Sequence, residues 1–109
     1  MNMNDYQQAA LKTASQKSKP NEVFHLLLGL MGETGEIAEK AKKIIRDEKS
    51  DFSKFDTADL TKELGDVLWY VAVLADYFDI PLDKVAQLNV EKLASRQARG
   101  KIHGSGDNR

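Results

Sequence analysis

The sequence predicts an all-α fold, a bundle of four helices. Apolar residues recur at intervals of three and four through most of the chain, only two prolines interrupt it, and 30% of its 109 residues are charged. The length suits one domain with one core. We therefore expect a single domain over residues 1–99 and a flexible tail over residues 100–109.

The first two helices follow from apolar faces and end signals. The first is predicted over residues 5–16, where small apolar residues line one face, and it is the weakest of the four. The second is predicted over residues 22–48, because Pro20 and Asn21 supply a break and an N-cap before a long apolar stripe. The stretch "KSDFSKFDT" then predicts a polar loop whose two phenylalanines tuck back on the bundle.

The last two helices are separated by "DIP". The third is predicted over residues 57–78, with Asp56 or Thr57 at its start and Asp59 in its first turn, where the helix dipole favours an acid. The fourth is predicted over residues 82–99 and ends before Gly100.

Composition excludes several kinds of site. The chain has no cysteine, which removes disulfides, thiolate zinc sites and cysteine nucleophiles. Lys and Arg number 16 against 17 Asp and Glu, so no broad basic field is available for nucleic acid. The longest apolar run, "VFHLLLGLMG", is too short to span a bilayer. We expect a cytoplasmic protein with no nucleic-acid or membrane partner.

Two acidic pairs share one position relative to the apolar stripes of their helices. On a helical wheel Glu63 and Asp66 flank the core stripe of the third helix, and Glu33 and Glu36 flank that of the second in the same phase. Acids three residues apart occur six times in this chain, so one pair alone carries little information. If the two helices pack antiparallel, four carboxylates converge.

A cluster of four carboxylates needs a cation, because like charges repel at short distance. The ligands are hard oxygens, with no Cys and no well-placed His, which favours Mg²⁺ or Mn²⁺ over zinc or iron.

The stretches "LGLMGETGEIAEKAKK" and "KELGDVLWYVAVLAD" resemble the MazG-like all-α nucleoside triphosphate pyrophosphohydrolases, whose metal site is an E-x-x-E helix followed by an E-x-x-D helix. The resemblance covers about residues 26–99 and is strongest to short, stand-alone members, including phage-encoded ones. It implies a four-helix MazG-like bundle in which the two acidic pairs hold Mg²⁺.

"NVEKLASRQARG" resembles the last helix of that family and implies that Asn89, Lys92 and Arg96 face the nucleotide phosphates. Their spacing of three and four places them on one helix face independently of the family. A solvated basic face is the alternative. Tyr70 either touches sugar or phosphate or lies at the core edge, and Lys40 either contacts phosphate or pairs with a carboxylate.

The resemblance implies hydrolysis of a (deoxy)nucleoside triphosphate to the monophosphate and pyrophosphate, with nucleotide-pool house-cleaning as the expected role. Glu33 or Glu36 is the expected general base. Lys92 and Arg96 would stabilise charge on the leaving pyrophosphate.

Apolar residues also lie opposite the metal face. One four-helix chain cannot cover both faces of these helices, which predicts a homodimer or homotetramer. The residues are Phe24, Leu28 and Met31 on the second helix and Trp69 and Val73 on the third. Trp69 could instead stack on a base.

Two rival functions stay open. Glu22 and His25 form an E-x-x-H, the repeated ligand pair of di-iron bundles, but the only other histidine is His103 in the tail. The second rival function is that of a non-enzymatic, antitoxin-like interaction module.

Overall fold

A computed structural model of residues 1–109 contains four α-helices and no strand: α1 Met3–Leu11, α2 Glu22–Asp47, α3 Thr57–Tyr77 and α4 Leu82–Ala98. One turn of 3₁₀-helix, Phe52–Lys54, lies between α2 and α3. The all-α prediction is confirmed. Helices α2, α3 and α4 begin at the predicted residues and end one residue earlier than predicted.

Helix α1 lies two residues earlier than predicted and is shorter. It begins at a capping box in which Asn2 accepts from the amide of Asp5 and the Asp5 side chain accepts from the amide of Asn2. After Leu11 the chain turns out of the α-helix, and the carbonyl of Ala10 accepts from the amide and hydroxyl of Thr13, at 3.1 and 3.0 Å, and from the Trp69 indole at 3.2 Å. The predicted end at residue 16 is therefore wrong.

The starts of α2 and α3 are capped differently. Asn21 is the N-cap residue of α2, as predicted, but it has a left-handed backbone, with φ of 62°, and its side chain accepts no capping hydrogen bond. Asp56 does cap α3, since its carboxylate accepts from the amides of Ala58 and Asp59 at 3.0 and 3.1 Å. The first turn of α3 is thus held in place at its N-terminus.

Helices α2 and α3 pack as an antiparallel pair, and α1 lies across α3 and α4. The buried centre is small and consists of Ala10, Leu26, Ala72, Val73 and Leu82. The sequence predicts that one chain leaves the face of α3 with Trp69 and Val73 uncovered. This prediction is wrong, because α1 covers that face and Val73 is buried. Trp69 packs there and donates to Thr13 at 2.9 Å, which supports packing over base stacking.

Gln7 joins α1 to the turn between α3 and α4. Its side chain is buried, and its amide nitrogen donates to the carbonyls of Ala72 and Ile80, both at 3.0 Å. Its carbonyl oxygen accepts from the amide of Leu82, also at 3.0 Å. One polar side chain therefore satisfies backbone groups of two other elements.

Much apolar surface remains exposed in the single chain. On α2, Phe24, Leu28 and Met31 are exposed, as the sequence predicts. On α3, Leu64 is half-exposed, although it belongs to the predicted core stripe. The loop phenylalanines stack on each other with ring centroids 6.2 Å apart, and Phe52 stays half-exposed rather than covered by the bundle.

The last ten residues fold back on α4 without helix or strand. Three glycines in this segment have positive φ, which lets the chain reverse direction: Gly100, Gly104 and Gly106. Asp107 contacts the side chains of Lys92 and Arg96. The flexibility of this tail stays a prediction. None of the helices combines the length and apolar character needed to cross a bilayer.

Candidate active site

The antiparallel register of α2 and α3 brings three of the four predicted ligands together. Glu33, Glu36 and Glu63 each present a carboxylate oxygen within 4.8 Å of the other two. Glu33 and Glu36 are one turn apart on α2, and Glu63 faces them from α3. The pairing of two acidic motifs across a helix interface, predicted from their phase, is therefore present for these three residues.

Two of these carboxylates have oxygens that nothing in the protein satisfies. Oε2 of Glu33 and Oε2 of Glu63 are both buried and have no hydrogen-bond partner. A buried, unpaired carboxylate oxygen is costly. A bound cation would supply a partner for both of these oxygens.

The charge of the cluster changes the protonation of Glu63. A hydrogen bond shared with Glu36 raises the pKa of Glu63 above its ordinary value, and burial and the charge of Glu36 act in the same direction. The nearby Lys40 opposes this shift. Without a divalent cation, the cluster therefore retains a proton more readily than an isolated glutamate.

Asp66 lies outside the group of three. It is exposed and, together with Glu33 and Tyr70, lines a shallow groove of about 320 Å³ whose other walls are Thr13 and Trp69. Its role as a fourth metal ligand stays a prediction. Its charge acts on Tyr6, whose pKa is raised by burial and, second, by Asp66.

Tyr70 combines features of both roles that the sequence leaves open. Its ring packs against Gly29 of α2 and makes edge contacts with Trp69 and His25, at centroid distances of 4.9 and 6.4 Å. It also borders the groove that contains Glu33. Tyr70 is thus a core-edge residue, and its contact with a nucleotide stays a prediction.

Lys40 pairs with carboxylates of α3. Its ammonium group bonds to Asp59 and lies 3.7 Å from Oε1 of Glu63. Both partners raise the pKa of Lys40, Asp59 most strongly. The predicted pairing of Lys40 with a carboxylate is therefore present in the structure. Its contact with phosphate stays a prediction.

The cations of α4 line a different part of the molecule. Asn89 and Lys92 border a groove of about 610 Å³ between α4 and the turn that precedes it. Lys92 and Arg96 both bind Oδ1 of Asp107, at 2.7 and 3.0 Å, which is consistent with their predicted shared face. Asn89 and Lys92 thus line a different groove from those lined by Glu36 and by Glu33 with Asp66.

The E-x-x-H pair does not form part of a metal cluster. Nδ1 of His25 lies 3.1 Å from Oε1 of Glu22, which is buried. The group of clustered ligand side chains contains neither residue, and His103 lies in the tail. The structure therefore offers no second E-x-x-H for a di-iron centre.

Sequence analysis missed two ionic partners of the site residues. The sequence predicts Asp59 only as a favourable first-turn acid of α3, whereas in the structure it binds Lys40. Lys40 lies one turn after Glu36, and Asp59 lies one turn before Glu63. In an antiparallel helix pair this mirrored spacing places the two residues opposite each other, so it is a signal that could have identified their ion pair. Asp107 carries no comparable signal, because no periodicity relates the tail to α4.

The donor set fits a hard divalent cation. All three clustered ligands are carboxylates, two have unsatisfied oxygens, and the side chains come from rigid helices. Such a centre could bind the oxygen-rich phosphates of a nucleotide through the cation.

The chain is similar to known proteins along most of its length. The family described as MazG nucleotide pyrophosphohydrolase domain matches residues 22–100. The chain is 53% identical over 85 residues to the Gene 37 protein of Mycobacterium phage L5, covering 78% of this chain and 75% of that one. It is 38% identical over 72 residues to the uncharacterized protein YvdC of Bacillus subtilis (strain 168), covering 62% and 68%.

No solved structure matches the chain. The family match spans α2, α3 and α4 and so includes all three clustered carboxylates. The chain therefore belongs to the MazG nucleotide pyrophosphohydrolase domain family.

Proposed function

We propose that this protein hydrolyses (deoxy)nucleoside triphosphates to the monophosphate and pyrophosphate in a Mg²⁺-dependent reaction, as a nucleotide-pool house-cleaning enzyme. The observation that carries the proposal is the meeting of Glu33, Glu36 and Glu63 within 4.8 Å in a chain of the MazG family. The family description supports a nucleotide substrate, and the carboxylate donor set supports the choice of Mg²⁺.

We propose that Glu33, Glu36 and Glu63 hold Mg²⁺ with Asp66 beside them. When bound, Mg²⁺ supplies charge neutralisation for the phosphates and lowers the pKa of coordinated water. Mn²⁺ has the same preference for oxygen ligands and is the expected substitute. The unsatisfied oxygens of Glu33 and Glu63 support this assignment.

Glu36 is the proposed general base, with Glu33 as the alternative. Glu36 is the exposed member of the cluster, so water reaches it most easily, and its carboxylate can accept the proton of an attacking water. Glu33 is partly buried and has one unsatisfied oxygen, which suits a ligand better than a base.

Lys92 and Arg96, with Asn89 one turn earlier, are the proposed phosphate contacts. The two cations would offset charge that develops on the leaving pyrophosphate. Both already hold an anion, the carboxylate of Asp107, which supports their capacity to bind phosphate oxygens. Tyr70, which borders the groove of Glu33 and Asp66, is the proposed contact for the sugar or a phosphate.

We also propose that the protein is a homodimer or homotetramer. The chain has a radius of gyration of 16.9 Å, whereas a compact domain of this length has about 13 Å. Phe24, Leu28 and Met31 leave 60, 70 and 62% of their surface exposed on one helix. An oligomer would cover them and would also allow α4 of one chain to approach the carboxylates of another.

The oligomer is tested by light scattering after size exclusion. A mass of two or four times 12.2 kDa is expected for the wild type. Leu28→Glu should shift the mass towards that of one chain, while Lys42→Glu, a charge change at an exposed position of the same helix, should not. A wild-type monomer would contradict this part of the proposal.

The activity is tested by incubating the protein with a panel of deoxynucleoside and nucleoside triphosphates and Mg²⁺ and measuring pyrophosphate. Glu36→Gln should lower kcat/KM by about 100-fold or more. Glu39→Gln, one turn along α2 and outside the cluster, is the matched control and should retain activity. Folded protein that releases no pyrophosphate from any nucleotide would contradict the proposal and favour the non-enzymatic interaction module.

A further inference from the structure

An ion pair crosses the α2–α3 interface one turn from the carboxylate cluster. Lys40 of α2 bonds to Asp59 of α3, and its nitrogen lies 3.7 Å from Oε1 of Glu63. The side chains of Lys40, Asp59 and Glu63 are 32, 40 and 14% exposed, so the ion pair is only partly shielded from solvent. The cluster therefore has a positive charge of the protein itself at its edge.

The backbone holds this pair in a defined place. Asp59 lies one turn before Glu63 on α3, and Lys40 lies one turn after Glu36 on α2, so antiparallel packing stacks the pair on the cluster. The amide of Asp59 is capped by Asp56, which orders this turn of α3. The backbone of Asp59 is thus ordered in the first turn of α3, and the side chain of Lys40 reaches across to the Asp59 carboxylate.

Lys40 is the only cation of the protein that pairs with a carboxylate of the cluster. The other positively charged wall residue of the groove over Glu36 is Lys43, for which no ion pair with Glu33, Glu36 or Glu63 is present. The charge balance of the cluster therefore depends on where Lys40 is held.

We propose that Asp59 is a positioning residue that holds Lys40 beside Glu63 as a resident counter-ion, and that this pair sets the affinity of the carboxylate cluster for a divalent cation. The inference rests on the proposed metal binding by the cluster and adds a determinant of its strength. Lys40 offsets the carboxylates when no metal is present and repels the metal when it binds.

The two halves of the pair should have opposite effects on metal affinity. Removing the charge of Lys40 leaves the cluster more negative and strengthens binding. Removing the charge of Asp59 leaves the site more positive and frees Lys40 to turn fully to Glu63, which weakens binding. A pair that only stabilised the fold would not produce opposite signs.

The test is a titration of the nucleotide-free 109-residue protein with Mn²⁺. Binding is measured by calorimetry or from the electron paramagnetic resonance signal of free Mn²⁺. Lys40→Met should bind Mn²⁺ roughly threefold more tightly, the effect of a partly exposed ion pair, and Asp59→Asn should bind it more weakly by a similar factor. Lys40→Arg keeps the charge and should remain near wild type. The double variant Lys40→Met/Asp59→Asn should also lie near wild type.

Lys17→Met is the matched control, because Lys17 makes the same kind of pair with Asp79 at 3.0 Å and Asp76 at 3.4 Å, away from the cluster. It should leave Mn²⁺ affinity unchanged. Equal affinities for wild type and Lys40→Met, or a weaker one for both single variants, would overturn the counter-ion proposal. If Glu63→Gln also left Mn²⁺ binding unchanged, the proposed metal site itself would fail, so the two failures are distinguishable.

If Lys40→Met does not fold, Lys40→Gln and Lys40→Arg are compared instead. Glutamine removes the charge and keeps a polar end, so it should strengthen Mn²⁺ binding relative to arginine. The reverse order would overturn the proposal.

Discussion

The ring of Tyr70 occupies the space where a side chain at Gly29 would begin. A Cβ atom added to Gly29 would lie 2.2 Å from Cε1 and 2.4 Å from Cζ of Tyr70. The ring cannot swing aside freely, because it makes edge contacts with Trp69 and His25. The absence of a side chain at Gly29 thus permits close approach of α2 and α3 above the carboxylates.

Gly29→Ala should therefore destabilise the protein. Overpacking costs roughly 1–3 kcal/mol, and at the middle of that range it exceeds the gain of about 1 kcal/mol from replacing a helical glycine with alanine. Gly35→Ala, on the same helix with open space around its Cβ, should stabilise by about 1 kcal/mol. Urea unfolding of both variants checks this, and equal stability of the two would refute the close approach.

Gln7→Met should destabilise the protein by roughly 2–4 kcal/mol, because the buried amide of Leu82 and carbonyl of Ile80 lose a partner that water cannot replace without opening the structure. Gln8→Met, at the exposed neighbouring position, should change stability by less than about 0.5 kcal/mol. Chemical denaturation measures both. Similar losses of stability in the two variants would mean that the hydrogen bonds of the Gln7 side chain make no specific contribution.

Glu63→Gln should change the pH dependence of the metal-free protein. The pKa of Glu63 is raised in the folded state, mainly by the hydrogen bond with Glu36. The folded state thus binds this proton more tightly than the unfolded state. Its stabilising contribution is fully present below the ordinary pKa of about 4.5 and is lost as pH rises through the folded value.

Melting temperatures in EDTA at several pH values from 4.5 to 8 provide the measurement. The wild type should lose more stability than Glu63→Gln as pH rises, and Mg²⁺ should restore stability to the wild type only. Parallel curves for the two proteins would rule out the shared proton.

Asp107→Asn should release the tail from α4. Hydrogen bonds from Lys92, the larger effect, and from Arg96 hold the pKa of Asp107 below its ordinary value of 3.8. A carboxylate with a depressed pKa contributes to docking above its ordinary pKa, and this contribution is lost as pH falls through the folded value. Docking should therefore be constant from pH 8 to about pH 4 and weaken below it.

Hydrogen exchange of the Lys101 amide, which donates to the carbonyl of Arg96 at 2.7 Å, reports the release. Exchange should be faster in Asp107→Asn and unchanged in Asn108→Ala, a neighbouring change that leaves the ion pairs intact. Because Lys92 and Arg96 lose a competing anion, KM for a nucleotide should also fall. Unchanged exchange would show that other contacts hold the tail.

The sequence predicted most of the helical framework because the signals for it are local. Periodicity and the acidic start at Asp56 located α2, α3 and α4 to within one residue at each end. It failed at the end of α1, where the Ala10 carbonyl accepts from Thr13 and also from the indole of Trp69, 59 residues away. A hydrogen bond across that separation leaves no trace in the periodicity of either helix.

The candidate site was predicted in part for the same reason. The phase of Glu33, Glu36 and Glu63 is a property of each helix alone, and it placed their carboxylates on facing sides. Asp66 has the same phase but lies outside the group of three, since its position depends on how closely the helices approach along their length. Helical phase gives direction and not distance.

By itself the sequence determined the all-α class, the helices that carry the acids and the phase of those acids, because each depends on neighbours within a few turns. Only the tertiary structure decided that Lys40 faces Asp59 and Glu63, that Gln7 joins α1 to α4, and that Asp107 covers the cations of α4. These contacts depend on register and approach between elements distant in the chain, which the packing of the whole molecule sets.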